Sequence, residues 1–211
     1  IRDRFDDYDV NSNKLGSTVA KRNEKLVKLL NGVGEMNLGD VKDHSIDAFG
    51  DAYEYLMTMY ASNAGKSGGE FFTPADVSEL LTRLGTVGKT EINKVYDPAC
   101  GSGGMLIEAI RYMHDDSLCC GSIFGQEKNV VNAAIAKMNL FLHGASDFNV
   151  MQGDTLRDPK ILQGGNIAKF DCVIANPPFS LENWGATEWS SDKYKRNIYG
   201  TPSDSCGDYA W

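Results

Sequence analysis

The stretch Asp97-Pro98-Ala99-Cys100-Gly101-Ser102-Gly103-Gly104 decides the expected fold of this chain. It lies between a predicted strand at 94–96 and a predicted helix at 104–114, where a doubly wound sheet places its ligand-binding turn. The glycines let the backbone approach a ligand closely, and the amide N–H groups at the helix N-terminus suit a single carboxylate. It is not the dinucleotide fingerprint, because the third glycine would fall at Leu106. Taken alone, the stretch also fits a bare strand-to-helix turn.

Strands and helices alternate after this turn, which predicts a parallel α/β sheet. A polar connection containing Gly164-Gly165 precedes the last strand. The tail at 182–208 is rich in Ser, Asn, Asp, Gly and aromatic residues, which predicts a mobile loop beside the site. In chain order the predicted elements are a strand at 94–96, a helix at 104–114, a strand around 123–124, a helix at 130–142, and strands near 149–151 and 171–175.

Helical periodicity dominates the chain ahead of the glycine turn. Apolar residues recur at helical spacing over 26–33, and again from Ile46 to Tyr60, where they fall on one face. A third helix follows Thr73, which is the expected N-cap, with Pro74 at the first helical position. We therefore expect a helical N-terminal segment over 1–64 and an α/β core over 65–211.

Composition and charge argue against several classes of protein. A net charge of −8 and a pI of about 4.9 have the wrong sign for a surface that binds DNA alone by neutralising many phosphates. The cysteines are odd in number and lack C-x-x-C spacing, so neither a disulfide framework nor a zinc site is expected, and the reducing cytoplasm is the expected compartment. No apolar run approaches the roughly 20 residues of a membrane span.

Two acidic residues beyond the turn extend the predicted nucleotide site. Glu127 lies 127 − 104 = 23 residues beyond Gly104, and nucleotide-binding α/β folds place a ribose-binding acid roughly 20 residues on. Its carboxylate can accept from both ribose hydroxyls. Asp154 ends the next strand at the same sheet edge, where it can accept from the adenine amine of a bound cofactor. The alternatives are a solvated helix cap for Glu127 and an ordinary turn residue for Asp154.

The apolar strand near 171–175 runs directly into Asn176-Pro177-Pro178-Phe179, and each part of this tetrad has a chemical use. An adenine amine is a poor nucleophile until hydrogen-bond acceptors bind its N–H groups. Asn176 and the carbonyl of Pro177 can be those acceptors. The prolines fix φ near about −65° and hold Asn176 extended, so both oxygens are aimed before substrate arrives. Phe179 supplies a face on which an extruded base can stack. The alternative is a proline turn that ends a buried strand.

The tetrad and its order after the glycine turn resemble the catalytic motif of N6-adenine DNA methyltransferases. The stretch Gly69-Glu70-Phe71-Phe72-Thr73-Pro74, ahead of the turn, is similar more specifically to the modification subunit of type I restriction-modification systems. The resemblance runs from about Leu38 to the end, where Asp208-Tyr209-Ala210-Trp211 looks like the start of the helix that follows the catalytic loop.

This resemblance implies a seven-stranded, Rossmann-like sheet that binds S-adenosylmethionine and transfers its methyl group to a flipped adenine of double-stranded DNA. Only four of those strands are predicted here, so the methyltransferase core over 65–211 is expected to lack its C-terminal strands. In such systems two modification subunits join one specificity subunit that reads the DNA sequence, and a restriction subunit adds cleavage. DNA contact by the specificity subunit would account for the acidic charge of this chain.

The residue chemistry and the resemblance together define the expected site. Phe72-Thr73-Pro74 is expected to contact the methionine part of the cofactor, and the glycine turn to pass beneath it. The expected catalytic residues are Asn176, Pro177, Pro178 and Phe179, and no metal ligand is expected. The residues expected to bind the cofactor are Glu70, Phe71, Phe72, Thr73, Pro74, Asp97, Gly101, Ser102, Gly103, Gly104, Glu127 and Asp154.

Two other functions are compatible with these motifs. A tetrad of this kind also serves methyltransferases that act on protein glutamine side chains or on RNA bases, which the stretch from Glu70 to Pro74 disfavours. The second alternative is a cofactor-binding or assembly module without activity, which the presence of Asn176 and Phe179 disfavours.

Overall fold

The chain divides into two compact units, residues 1–45 and 46–211. The computed structural model describes residues 9–35, 55, 73–115 and 119–211. In the first unit, α1 spans Val19–Gly34, as the periodicity predicted. The helix predicted from Ile46 falls, apart from Tyr55, outside the described residues, and so does the predicted boundary between 64 and 65. Of the helices that are described, none combines the length and the apolar character needed to cross a membrane.

A parallel sheet is the centre of the second unit, as the alternating pattern predicted. The described strands are β1 (Glu91–Asp97), β2 (Cys119–Glu127), β3 (Phe148–Gln152), β4 (Leu162–Gln163), β5 (Asn166–Ile167) and β6 (Cys172–Val173). Four of them form the sheet in the order β3-β2-β1-β6, and every neighbouring pair is parallel.

β6 is shorter than the strand predicted at 171–175, although the backbone continues along β1 on both sides of it. The Asp171 N–H donates to the carbonyl of Lys94 at 2.9 Å, and the Ile174 N–H donates to the carbonyl of Tyr96 at 3.0 Å. Among the described strands β6 is an edge, since β1 is its single neighbour. Its carboxyl end therefore emerges beside that of β1.

The helices that cover the sheet begin and end close to their predicted bounds. The described helices of this unit are α2 (Ala75–Thr86), α3 (Gly104–Asp115), α4 (Val130–Leu142) and α5 (Ala186–Ser190), with one 3₁₀ turn at Asp208–Ala210. α3 and α4 match the helices predicted at 104–114 and 130–142. Asn129 is the N-cap of α4, and its side chain accepts from the Val131 and Asn132 N–H groups.

The predicted cap of α2 is wrong by one residue. Pro74 is the N-cap and the helix begins at Ala75, so the Thr73 side chain does not cap it. The face of α2 that is buried carries small polar side chains, Ser78, Thr82 and Thr86, whose hydroxyls donate to carbonyls one turn earlier. Small side chains on this face let α2 pack closely against its neighbours, chiefly α3 and to a smaller extent β6.

The polar connection after β3 contains a hairpin that the sequence prediction did not include. β4 and β5 pair antiparallel on either side of Gly164-Gly165. These glycines have φ of +58° and +81°, the conformation that a tight hairpin turn of the primed type requires. The glycine pair between two short segments was the available signal for it.

The prediction of a mobile loop at 182–208 is wrong. This segment forms a second apolar cluster in which Trp184 and Trp189 are 2% and 6% exposed, packed with Leu156 and Ala210. Arg196 lies over the Trp189 ring at 4.5 Å and donates to the carbonyls of residues 155 and 156. The two tryptophans of the segment form its hydrophobic core, whereas Tyr199 in the same segment is exposed.

The first apolar cluster lies between the sheet and its helices. Fully buried residues of β1 and β2 meet those of α3 and α4, among them Val95, Ile123, Leu106 and Leu140. This core holds the strands rigidly. The loops at their carboxyl ends are therefore presented in a defined arrangement.

Candidate active site

The parallel sheet brings the predicted functional residues to one edge. Asp97 and Glu127 are the last residues of β1 and β2. Asp154 follows the end of β3, and Asn176 follows β6. Because all four strands point the same way, these residues leave the sheet on the same side. This is the crevice in which open α/β sheets bind their ligands.

The glycine turn uses its glycines for backbone geometry. Gly101 and Gly103 have φ of +53° and +83°, which side chains rarely allow. A Cβ on Gly101 would meet no atom within 4 Å, so the backbone there is open on that side. A Cβ on Gly103 would lie 3.4 Å from Ala136 of α4, which keeps the turn close to that helix. Ser102 lies between them, and Gly104 begins α3.

Glu127 joins the glycine turn to the segment that follows β2. One carboxylate oxygen accepts from the Gly101 N–H at 3.0 Å, and the other accepts from the Asn129 N–H at 2.7 Å. Glu127 is half-buried. It is not the cap of α4, because Asn129 has that role. Each carboxylate oxygen retains a further lone pair that can accept from a ligand hydroxyl.

Asp97 is a buried carboxyl group directly beneath the turn. It is 2% exposed, and its Oδ1 accepts from the Ala99 N–H at 2.9 Å. Burial raises its pKa to about 7, and the negative charge of Glu127 contributes in the same direction, while the Ala99 N–H opposes them. Asp97 therefore changes its protonation state near neutral pH.

Asp154 already has partners within the chain. Its Oδ2 forms an ion pair with Lys128 Nζ at 2.9 Å. Its Oδ1 accepts from the Leu156 and Arg157 N–H groups at 3.1 and 3.2 Å, as a turn residue does. Lys128 is a neighbour that the sequence reasoning missed, and its position directly after Glu127 was the available signal. The contact of Asp154 with a cofactor amine stays a prediction.

The tetrad is exposed at the carboxyl end of β6. The side-chain Nδ2 of Asn176 donates to the Thr73 hydroxyl at 3.2 Å. Phe179 is 79% exposed, so its ring face is accessible to a planar partner. Ser180 has φ of +52°, and its N–H donates to Asp208 Oδ1 at 2.7 Å. Asp208 thus fixes the end of the tetrad to the second apolar cluster, a role that sequence reasoning did not assign.

Part of the predicted cofactor segment lies beyond what the structure describes. Glu70, Phe71 and Phe72 are outside the described residues, whereas Thr73 and Pro74 are within them. Thr73 lies beside the tetrad through its bond to Asn176. Within the described residues, no group of three or more His, Cys, Asp or Glu is arranged to hold a metal ion.

Two solved structures have this arrangement of sheet and helices. The type I restriction-modification methyltransferase subunit from Streptococcus thermophilus matches with a TM-score of 0.77 and 31% identity, over 98% of this chain and 43% of that chain. A Listeria monocytogenes protein assigned to the class I S-adenosylmethionine-dependent methyltransferases matches with a TM-score of 0.66 and 16% identity, over 96% of this chain and 58% of that chain. The fold is that of the S-adenosylmethionine-dependent methyltransferases.

The sequence places the chain within one family of that class. The family model described as N-6 DNA Methylase matches residues 44–211, and the chain belongs to this family. The type I restriction enzyme MpnII methylase subunit of Mycoplasma pneumoniae is 43% identical, over 92% of this chain and 36% of its own length. The chain spans about a third of the length of the curated relatives it matches.

Proposed function

We propose that this chain belongs to the modification subunit of a type I restriction-modification system and transfers a methyl group from S-adenosylmethionine to the N6 amine of adenine in double-stranded DNA. One observation carries the proposal: the Asn176 tetrad, the glycine turn and Glu127 leave the same edge of one parallel sheet. Membership of the N-6 DNA methylase family supports it. So does the name of the Mycoplasma pneumoniae relative.

The residues around the glycine turn fit the cofactor. The open backbone at Gly101 and the acceptor oxygens of Glu127 suit a ribose, and Thr73 and Pro74 lie on the side of the site that holds the tetrad. Asp154 can turn to an adenine amine if Lys128, whose side chain is 70% exposed, moves aside. When bound, S-adenosylmethionine supplies an electrophilic methyl group on a sulfonium centre.

The tetrad provides hydrogen-bond acceptors for the target amine. Asn176 Oδ1 and the carbonyl of Pro177 accept from its two N–H groups, which makes the nitrogen lone pair more available for attack. As the new N–C bond forms at the amine nitrogen, the bond between the methyl carbon and the cofactor sulfur would break and leave a neutral thioether, and the amine would then lose one proton. An amide oxygen is too weak a base to keep that proton, so solvent receives it. Asn176 therefore orients and polarises the amine without acting as a general base.

Phe179 is suited to hold the base outside the duplex. An adenine within a base pair cannot reach the cofactor, so the nucleotide must be extruded into the site. The exposed ring of Phe179 offers it a stacking surface at the end of the tetrad. The loss of stacking in the duplex is thus partly offset by stacking on the protein.

The charge of the chain and its family membership indicate which protein partners it needs to act on DNA. A net charge of −8 leaves most phosphate neutralisation to another protein. A specificity subunit that reads the DNA sequence fits that requirement, and a restriction subunit would add cleavage to the complex. We place this assembly in the cytoplasm, where its DNA substrate lies.

The test is methyl transfer by the protein assembled with its specificity subunit. Labelled methyl groups should appear in DNA, and digestion of the product should recover them as N6-methyladenine. Asn176→Ala should abolish transfer while cofactor affinity, measured by calorimetry, stays within about twofold, because its oxygen acts on the target amine alone.

Asn149→Ala is the matched control for that variant. Asn149 is exposed near the amino end of β3, away from the edge that holds the site, and its loss should leave transfer unchanged. Loss of cofactor binding by a folded Asn176→Ala protein would contradict the assignment of Asn176. Label in RNA or protein glutamine, with none in DNA, would contradict the proposed substrate.

A further inference from the structure

Gln126 is a fully buried polar side chain beside the candidate cofactor site. It directly precedes Glu127 in β2 and is 0% exposed. Its Nε2 donates to the carbonyl of Asp158 at 2.9 Å, and its Oε1 accepts from the Lys160 N–H at 2.9 Å. Because a backbone carbonyl only accepts and a backbone N–H only donates, these partners allow one orientation of the amide. The side chain therefore holds two points of the segment 154–160, which follows β3.

The contact with Asp158 also fixes the place of Asp154. The Asp158 N–H donates to the carbonyl of Asp154 at 2.6 Å, so the residue that Gln126 holds closes a turn that begins at Asp154. The Asp154 carboxylate belongs to the same turn, because its Oδ1 accepts from the Leu156 and Arg157 N–H groups. A shift of this turn would therefore move the carboxylate with it.

Gly153 allows the close approach between Gln126 and this segment. A Cβ on Gly153 would lie 3.2 Å from Gln126 Nε2 and 3.3 Å from Lys160 Cγ. The Gly153 N–H donates to the carbonyl of Glu127 at 2.9 Å, which keeps the end of β3 beside the end of β2. On the other side, the backbone carbonyl of Gln126 accepts from the Cys100 N–H at 3.1 Å. Gln126 thus contacts the glycine turn through its backbone and the segment after β3 through its side chain.

We propose that Gln126 is a positioning residue for adenine recognition: its side chain holds the segment 154–160 so that the Asp154 carboxylate meets the 6-amino group of the bound cofactor. This assignment rests on the proposed function. Asp154 Oδ2 is the oxygen that accepts from the amine, once the exposed Lys128 side chain that pairs with it moves aside. A hydrogen bond weakens steeply outside a narrow range of distance and angle, so the acceptor must be held in place to select the amine.

The experiment compares the binding of two ligands, S-adenosylhomocysteine and its purine analogue in which hydrogen replaces the 6-amino group. Calorimetry measures both affinities on the protein assembled with its specificity subunit. We expect the wild type to bind S-adenosylhomocysteine about 10- to 100-fold more tightly, as one hydrogen bond to a charged group allows. Gln126→Met keeps the length of the side chain and removes both polar ends. It should reduce the ratio of the two affinities to about threefold or less, because the segment after β3 loses its anchor.

The ratio of the two affinities separates positioning from general damage to the site. Damage would weaken the binding of both ligands alike, whereas a displaced Asp154 loses only the hydrogen bond to the amine. In an Asp154→Ala background, Gln126→Met should change the ratio less than about twofold, because the acceptor that it positions is absent. Gln163→Met, which removes an exposed amide from the β4–β5 hairpin, is the matched control and should keep the wild-type ratio.

Three results would overturn the role of Gln126 and leave the proposed function intact. They are a wild-type ratio in folded Gln126→Met, a further fall of the ratio in the Asp154→Ala background, and equal binding of both ligands by the wild type. If Gln126→Met does not fold, Gln126→Asn decides in the same way, because its shorter amide cannot hold both backbone groups. Absence of methyl transfer to adenine by the wild-type assembly would overturn the proposed function itself.

Discussion

At the residue scale, Glu127 supports the glycine turn and is also proposed to bind the ribose of the cofactor. Its carboxylate accepts from the Gly101 and Asn129 N–H groups, and it has lone pairs left for a ribose. We expect Glu127→Ala to weaken S-adenosylmethionine binding by about 1–3 kcal/mol, because the ribose bonds and the support of the glycine turn are both lost. Calorimetric titration measures the change.

Glu91→Ala is the control for that variant. Glu91 is an exposed acid at the amino end of β1, the end of the strand opposite to Asp97. Its replacement should leave the affinity as it is in the wild type. Equal affinity of wild type and Glu127→Ala would show that the ribose does not bind there.

Asp97 makes stability depend on pH. Its pKa in the folded protein is about 7, above the ordinary value of 3.8. The folded state therefore keeps a proton that the unfolded chain loses, and the stability from the neutral carboxyl is complete below about pH 4 and lost as the pH rises through 7. Within this window we expect Asp97 to lower the free energy of unfolding by about 1.4 kcal/mol per pH unit.

Asp97→Asn tests this slope directly. The amide cannot ionise, so the difference in unfolding free energy between variant and wild type should change with pH across the window. Denaturant titrations at several pH values measure it, with Asp204→Asn, which removes an exposed carboxylate, as the control. A pH-independent difference for Asp97→Asn would contradict the raised pKa.

At the scale of elements, the segment after the tetrad depends on Arg196. Its guanidinium lies over Trp189, pairs with Asp192 at 2.8 Å and donates to two carbonyls of the segment after β3. This pairing lowers the pKa of Asp192. Because Asp208 in the same segment holds the Ser180 N–H, order in the second apolar cluster also supports the tetrad.

Arg196→Ala should therefore destabilise this segment. We expect a loss of about 2–4 kcal/mol, since both the ring contact and several hydrogen bonds to a half-buried charge disappear. Tryptophan fluorescence during denaturation reports it, because Trp184 and Trp189 lie in the cluster. Lys195→Ala, which removes an exposed cation from the adjacent position, is the control, and an equal effect of both changes would contradict the role of Arg196.

At the scale of the whole molecule, the sheet has an exposed edge at β6. Val173 is 56% exposed there, and the described part of the chain places no strand beyond it. Unpaired backbone groups at such an edge invite pairing with another chain. We expect the isolated 211-residue chain to self-associate at concentrations on the order of tens of micromolar, and to transfer no methyl groups to DNA by itself.

Light scattering on the purified chain tests this expectation. Val173→Lys should reduce association, because a charge on an edge strand opposes pairing, whereas Val130→Lys, an exposed change at the start of α4, should not. A stable wild-type monomer with a cooperative unfolding transition would contradict the prediction.

Local pattern determined most of the elements of this fold. Spacing predicted the bounds of α4 at Val130 and Leu142 and the strand-turn-helix at Gly101, because period and glycine placement are properties of adjacent residues. It predicted only the later part of β1, at 94–96, because polar residues interrupt the part that begins at Glu91. The chemistry of the tetrad was also predicted, because two prolines restrict the backbone of Asn176 wherever it lies. The family shown by comparison agrees with the resemblance drawn from these motifs.

Only the tertiary structure decided which distant residues meet. Asn176 contacts Thr73 across 103 positions, and Asp154 pairs with Lys128, because strand order brings their loops to one edge. The tail predicted as a loop became ordered for the same reason, since Trp184 buries itself against Leu156 from an earlier part of the chain. The spacing of residues along the sequence does not indicate such contacts. They depend on which strands are neighbours and on how the side chains between the strands pack.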